Sequence, residues 1–142
     1  MWLHDEDAGK LADGDNTLKD YKFYCFNGEP KYLYVSDRMD DHENARLSFV
    51  DMNYEMAPFG RTDYKEFEKL PAKPENFEEM QIIAETLAKG MPFLRVDLYE
   101  INHRIYFGEL TFYPCAGFMP FKPKEWDEKL GKLVQIPNNG VM

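Results

Sequence analysis

The chain has 142 residues, 44% of them hydrophobic and 30% charged, enough for one domain with a core of its own. That balance excludes a disordered, collagen-like or coiled-coil chain. With 17 basic against 26 acidic residues the net charge is −9, so a broad nucleic-acid or anionic-membrane surface is not expected, although a local basic pocket for a nucleotide remains open.

Residues 1–19 are acidic and turn-rich, and read as a loose segment ahead of a domain spanning 20–137, with a short tail over 138–142. The opening, Met1 to Asp7, has no basic stretch followed by an apolar one, so no secretory signal is expected. No apolar run approaches the ~18 residues of a membrane span. A cytoplasmic protein follows, with Cys25 and Cys115 as reduced, partly buried thiols.

The first strong element runs from Asp20 to Phe26, then Asn27-Gly28, then a second apolar run ending at Ser36. Aromatic runs flanking Asn-Gly predict a β-hairpin. By the two-residue period Lys22, Tyr24 and Phe26 share one strand face, and Tyr21, Phe23 and Cys25 the other. Lys22 is the one charged residue on two otherwise apolar faces, either as a phosphate contact or as a snorkelling surface lysine. Residues 37–72 read as irregular apart from one strand near 46–50.

Pro74, the glutamates Glu75, Glu78 and Glu79, and apolar Phe77, Met80, Ile83, Ala84 and Leu87 predict an amphipathic helix over about 75–89, stopped by Gly90 and Pro92. A second hairpin follows, Phe93–Tyr99 and Arg104–Phe112 about a turn at Asn102-His103. After a Pro-punctuated loop, Tyr113–Phe121, a short final helix is expected from Lys124 to about Leu133. The order hairpin, loop, helix, hairpin, helix predicts an α+β fold: an antiparallel sheet built from two hairpins with packed helices.

Arg95 and Asp97 share one face of the first strand of the second hairpin, and Glu109 and Thr111 share a face of the second. Whether these faces coincide depends on register. A two-residue turn continued regularly pairs Asp97 with Gly108, whereas an odd-length turn or a bulge at Gly108 brings Asp97 and Glu109 together. Two carboxylates with an arginine between them suit a Mg²⁺-nucleotide site, since Mg²⁺ takes carboxylate and phosphate oxygens and Arg grips phosphate with a bidentate fork. A salt-bridge cluster on a solvated sheet is the other reading, and spacing alone leaves both open. The histidines, His4, His42 and His103, have no metal-ligand spacing and read as surface residues. Ser36 and Ser48 have no visible activating base.

The blocks Asp20–Tyr32, Arg95–Tyr99 and Tyr106–Pro114 resemble the TupA-like ATP-grasp family, associated with teichuronopeptide and other cell-surface polysaccharide biosynthesis. The resemblance covers residues 20–137 and implies the C-terminal subdomain of the ATP-grasp fold, with the family's N-terminal half absent from this chain. It also implies ATP and Mg²⁺ as cofactors, and activation of a carboxylate as an acylphosphate that a nucleophile then attacks. By position Asp97 and Glu109 resemble the metal-binding carboxylates, and Arg95 the arginine that steadies the transferring phosphate as the catalytic residue. Lys22 and Arg38 resemble basic residues facing the phosphates and the acceptor. Thr111 stands at a metal position where the family carries Asn, and Cys115 where it carries Gly. The partners implied are a nucleotide, a carboxylate-bearing or sugar acceptor, and either the missing half or a second copy closing over the site. A non-catalytic module that self-associates through the surface the missing half would cover is the alternative.

Overall fold

The computed structural model describes residues 20–37, 43–112 and 121–122, together with Glu125 and Lys129. The first hairpin pairs β1 (Asp20–Phe26) with β2 (Glu29–Asp37), and the second pairs β5 (Phe93–Ile101) with β6 (Arg104–Thr111). Between them lie β3 (Arg46–Asp51), the two-residue β4 (Gly60–Arg61) and helix α1 (Phe77–Ala88), with β7 (Phe121–Lys122) following. The strands β3-β2-β1-β5-β6 form one five-stranded sheet in that order, every neighbour antiparallel. The β4 and β7 strands pair separately. The α+β expectation therefore holds in its coarse form, with the sheet dominant. Among the described residues no helix is long and apolar enough to cross a membrane.

Both hairpins close through two-residue turns whose central residues lie at positive φ, Asn27 at 54° and Gly28 at 84°, Asn102 at 52° and His103 at 63°. Two positive-φ residues give the turn twist that matches the right-handed twist of flanking strands. Both hairpins also slip by one residue along their length. In the first, Cys25 pairs with Pro30 but Tyr24 pairs with Tyr32, so Lys31 is the extra residue. Pro30 lies before the stretch of β2 that pairs with β3, so its missing N–H costs that ladder nothing.

On one face of the sheet lie Tyr21, Phe23, Cys25, Leu33, Val35, Leu94, Val96 and Leu98, all packed against α1. The helix contributes Phe77, Met80, Ala84 and Ala88, a stripe at helical spacing. Phe77 stacks against Phe23 with ring centroids 6.0 Å apart and against Tyr54 at 5.5 Å. Leu87, expected in this stripe, is 41% exposed, and Ala88 takes the inward position. The helix also begins later than Pro74 suggested. Residues 75–76 form a turn in which the Phe77 N–H bonds the Pro74 carbonyl, and the Asn76 N–H is taken by Glu100 Oε2 at 2.9 Å.

The irregular stretch over 52–70 covers part of the other face. Phe59 meets Phe49 at 4.8 Å and Tyr32 at 4.9 Å, and Tyr24, Tyr34, Leu47 and Phe93 complete this second cluster. Segments 1–19 and 138–142, Arg38, Cys115, His4 and His42 lie outside the described residues, as does most of the Tyr113–Phe121 loop. Of the final helix only Glu125 and Lys129 are described, and their side chains pair at 3.4 Å.

Phe77 joins helix and sheet at their closest point, so Phe77→Ala is expected to cost about 3–5 kcal/mol. Urea unfolding checks this: the midpoint falls while the slope stays constant.

Candidate functional site

The register of the second hairpin answers the question its sequence left open. The turn has two residues, and the pairs Ile101–Arg104, Tyr99–Tyr106 and Leu98–Phe107 continue regularly from it. Val96 then pairs with Leu110 and Arg95 with Thr111, so one residue has been inserted in β6 opposite Asp97. The insertion falls at Gly108-Glu109. A Cβ on Gly108 would lie 3.0 Å from Tyr99 Cε2 and 3.2 Å from the Asp97 carbonyl oxygen, so the bare glycine lets β6 approach there. Beyond the bulge Glu109 and Thr111 share the face of Arg95 and Asp97.

That face is the one turned away from α1. Cross-strand pairing arranges it in rows: Ser36, Asp20 and Tyr99 in one, Tyr34, Lys22 and Asp97 in the next, then Tyr32, Tyr24, Arg95 and Thr111. Charge is concentrated in the middle. Arg95 Nε donates to Asp97 Oδ1 at 2.9 Å and its Nη2 to Oδ2 at 3.0 Å, a bidentate fork along one strand. Lys22 Nζ donates to the same Oδ2 at 2.8 Å from the neighbouring strand. Arg95 Nη2 also reaches Glu109 Oε1 at 3.3 Å, and Lys22 Nζ lies 3.4 Å from Asp20 Oδ2.

Exposure is graded across the cluster. The Asp97 side chain is 1% exposed, Arg95 10%, and Glu109 63%. Burial pulls the Lys22 ammonium down, yet Asp20 and then Asp97 hold it above the ordinary lysine value. Burial likewise works against Arg95, and its pairing with Asp97 outweighs it, so the guanidinium stays charged throughout. Asp20 behaves in the opposite sense: burial pushes its carboxyl up, against the pull of Lys22 and of the Ser36 hydroxyl, which donates to Asp20 Oδ1 at 2.7 Å.

Lys22, Arg95, Asp97, Glu109 and Thr111 thus stand on one surface. Arg38 lies outside the described residues. Four neighbours went unremarked in the sequence as site residues: Asp20, Ser36, Tyr24 and Tyr34. The period-two neighbours of Lys22 would have pointed to Asp20 and Tyr24, but Ser36 and Tyr34 come from β2 through register alone. Cys25 sits on the helix face with Sγ 3.9 Å from the Ala84 carbonyl, and burial pushes its thiol up to about 12, which disarms it as a nucleophile. His103 is exposed in its turn and pairs with Glu75.

The donor set can be tested against Mg²⁺. Among the described residues no group of three or more His, Cys, Asp and Glu side chains is gathered to hold a metal alone. Mg²⁺ does not require one, because it binds through one or two carboxylates and completes its octahedron with water and substrate phosphate oxygens. Asp97 and Glu109 supply hard oxygens joined by one guanidinium, and the cluster has three carboxylates (Asp20, Asp97, Glu109) to two cations (Lys22, Arg95). An excess of negative charge beside two fixed cations fits a divalent ion carried in on a polyphosphate.

A family model described as TupA-like ATPgrasp matches residues 5–135, most of the chain. No curated protein and no solved structure matches it.

Two outcomes follow from the geometry. Asp97→Ala strands Lys22 and Arg95 without their shared counter-ion and is expected to lower stability by about 3–5 kcal/mol in chemical unfolding. Asp20 has a raised carboxyl pKa in the folded state, so its contribution to stability is present in acid and is lost as pH rises through that value. Asp20→Asn removes this loss. Its Tm is expected to exceed that of the unaltered protein at pH 7, with the gap closing on acidification below the ordinary aspartate range.

Proposed function

The chain belongs to the TupA-like ATP-grasp family, and from that premise we propose that the face carrying Lys22, Arg95, Asp97 and Glu109 is one side of a Mg²⁺-ATP site. The reaction is activation of a carboxylate as an acylphosphate, in cell-surface polysaccharide biosynthesis. A substrate carboxylate oxygen bonds to the terminal phosphorus of ATP as the bond to the bridging oxygen breaks, releasing ADP. A nucleophile then attacks the acyl carbon and phosphate leaves.

The observation that carries this reading is the bulge at Gly108, which gathers two carboxylates and an arginine onto the side of the sheet away from α1. Glu109, largely exposed at the rim, and Asp97, buried beneath it, would hold Mg²⁺, with the Thr111 hydroxyl as a further oxygen on the same face. Bound there, Mg²⁺ neutralises charge on the phosphates of the nucleotide. Arg95 serves as the catalytic residue that steadies the transferring phosphoryl group, and Lys22 gives a second positive charge fixed by Asp20 and Asp97. Arg38 joins them toward the phosphates and the acceptor. Fixed charges of this kind accelerate phosphoryl transfer because they need no reorganisation as charge moves. The nucleotide is closed from its far side by an N-terminal half or by a second copy of the chain.

Calorimetric titration of Mg²⁺-ATP tests the reading. Saturable binding is expected in the unaltered chain and its loss in Glu109→Gln, which keeps the side-chain shape but removes the exposed carboxylate charge. Absence of binding at millimolar nucleotide, or binding unchanged by Glu109→Gln, counts against it.

A further inference from the structure

A third cation approaches this face from outside the five-stranded sheet. Arg61 lies in β4, and Phe59 two residues earlier is stacked on Phe49 and Tyr32, which holds the segment down over β2 and β3. The Arg61 guanidinium lies 5.3 Å from the Tyr64 ring centroid. Tyr64 in turn packs against the cluster that contains Tyr24, Tyr34 and Phe49. Tyr34 belongs to the row of Lys22 and Asp97, and the Lys22 ammonium lies 5.9 Å from its ring centroid.

Burial pushes the Tyr34 phenol up, and both Arg95 and Arg61 are near enough to pull against that rise. The phenol therefore remains a neutral hydrogen-bond donor with cations from three separate elements about it: Lys22 from β1, Arg95 from β5 and Arg61 from β4. Arg61 does have a carboxylate partner, Asp63, but that residue is two positions along the same loop and 41% exposed, whereas Arg61 is 15% exposed. An ion pair to an exposed near neighbour is worth little, and it leaves unexplained why the arginine is brought onto an aromatic floor beside two other cations.

We propose that Arg61 joins Lys22 and Arg95 in an oxyanion site centred on Tyr34, which takes a carboxylate or phosphoryl group of a substrate held on this face. The proposal rests on the reading of the face as a substrate site, and adds to it a residue from β4 and a position on the β2 side, across β1 and β5 from Glu109. Arg61 supplies a planar fork suited to two oxygens of one anion, and the Tyr34 hydroxyl a single neutral donor. Two sources offer that chemistry: the terminal phosphate of the nucleotide, and the carboxylate of the acid substrate.

The test follows the arginine Nε–Hε signals of the full chain by ¹⁵N NMR. Inorganic pyrophosphate is the phosphoryl probe and tricarballylate the carboxylate probe, each without Mg²⁺. At least one is expected to shift the Arg61 and Arg95 signals together and saturably, and Arg61→Gln to weaken that probe by about fivefold or more, as loss of a charge-assisted pair should. The probe that does so identifies the source. Asp63→Asn, which frees the arginine from its neighbour, is expected to tighten the same probe, and its effect is readable if Arg61→Gln fails to fold. Shifts at Arg95 with Arg61 still, no shift at either arginine, or affinity unchanged in both variants overturns the proposal. Failure of the nucleotide reading is separable: probes that move Arg61 and Arg95 in a chain that does not bind Mg²⁺-ATP leave the oxyanion site standing. Loss of ATP binding in Glu109→Gln with Arg61 silent removes Arg61 alone.

Discussion

The carboxylate of Asp97 is buried in the middle of a sheet, and the open face is organised around compensating it. An unpaired carboxylate in that position would cost several kcal/mol. Here Arg95 reaches both of its oxygens from along the same strand, and Lys22 reaches one from the next. Each cation is thereby fixed in direction. Arg95 is aimed so that one nitrogen also meets Glu109, and Lys22 is held between Asp97 and Asp20. The positive charges therefore stand in place before any ligand arrives, which is the condition under which electrostatics contributes most to chemistry.

The compensation depends on a single inserted residue. Continued regularly from its turn, the second hairpin would have set Gly108 opposite Asp97 and turned Glu109 toward the helix side, where Phe107 and Leu110 pack against the core. A glutamate there would be a buried charge among Leu98, Val96 and α1. The bulge reverses the alternation once, keeping Phe107 and Leu110 inward on either side of it while turning Glu109 outward. Core packing and site geometry are thus satisfied by the same irregularity. Gly108 is where the close approach of β6 to Tyr99 and the Asp97 backbone requires no side chain.

The two faces of the sheet are finished differently. One is closed by a helix whose small residues, Ala84 and Ala88, let it lie close on Cys25 and its neighbours. The other is closed only over β2 and β3, by aromatic contacts from Phe59 and Tyr64, and carries charge over β1, β5 and β6. Tyr24 and Tyr34 lie at the boundary, their rings in the aromatic cluster and their phenols near the arginines. A boundary of this kind offers an anionic group strong partners on one side and a surface of low polarity on the other.

Local chemistry in the sequence determined the turns, the two hairpins, the strand near 46–50 and the helix. Asn27-Gly28 and Asn102-His103 are short-range signals, and the α1 stripe is a matter of spacing, so each is legible without knowing what packs against it. The residue types of the candidate site were legible for the same reason: Lys22 stands out on an apolar strand, and Arg95-Val96-Asp97 and Glu109-Leu110-Thr111 each show their own alternation. What the sequence left undecided was whether those alternations faced one another, because a one-residue change of register moves every side chain to the opposite face. Only the packing of Phe107 and Leu110 against one core decides where the register shifts. The arrival of Ser36 and Tyr34 beside Asp20 and Lys22, and of Arg61 over Tyr64, is likewise the work of strand pairing and loop packing between residues distant in the chain, which no local pattern encodes.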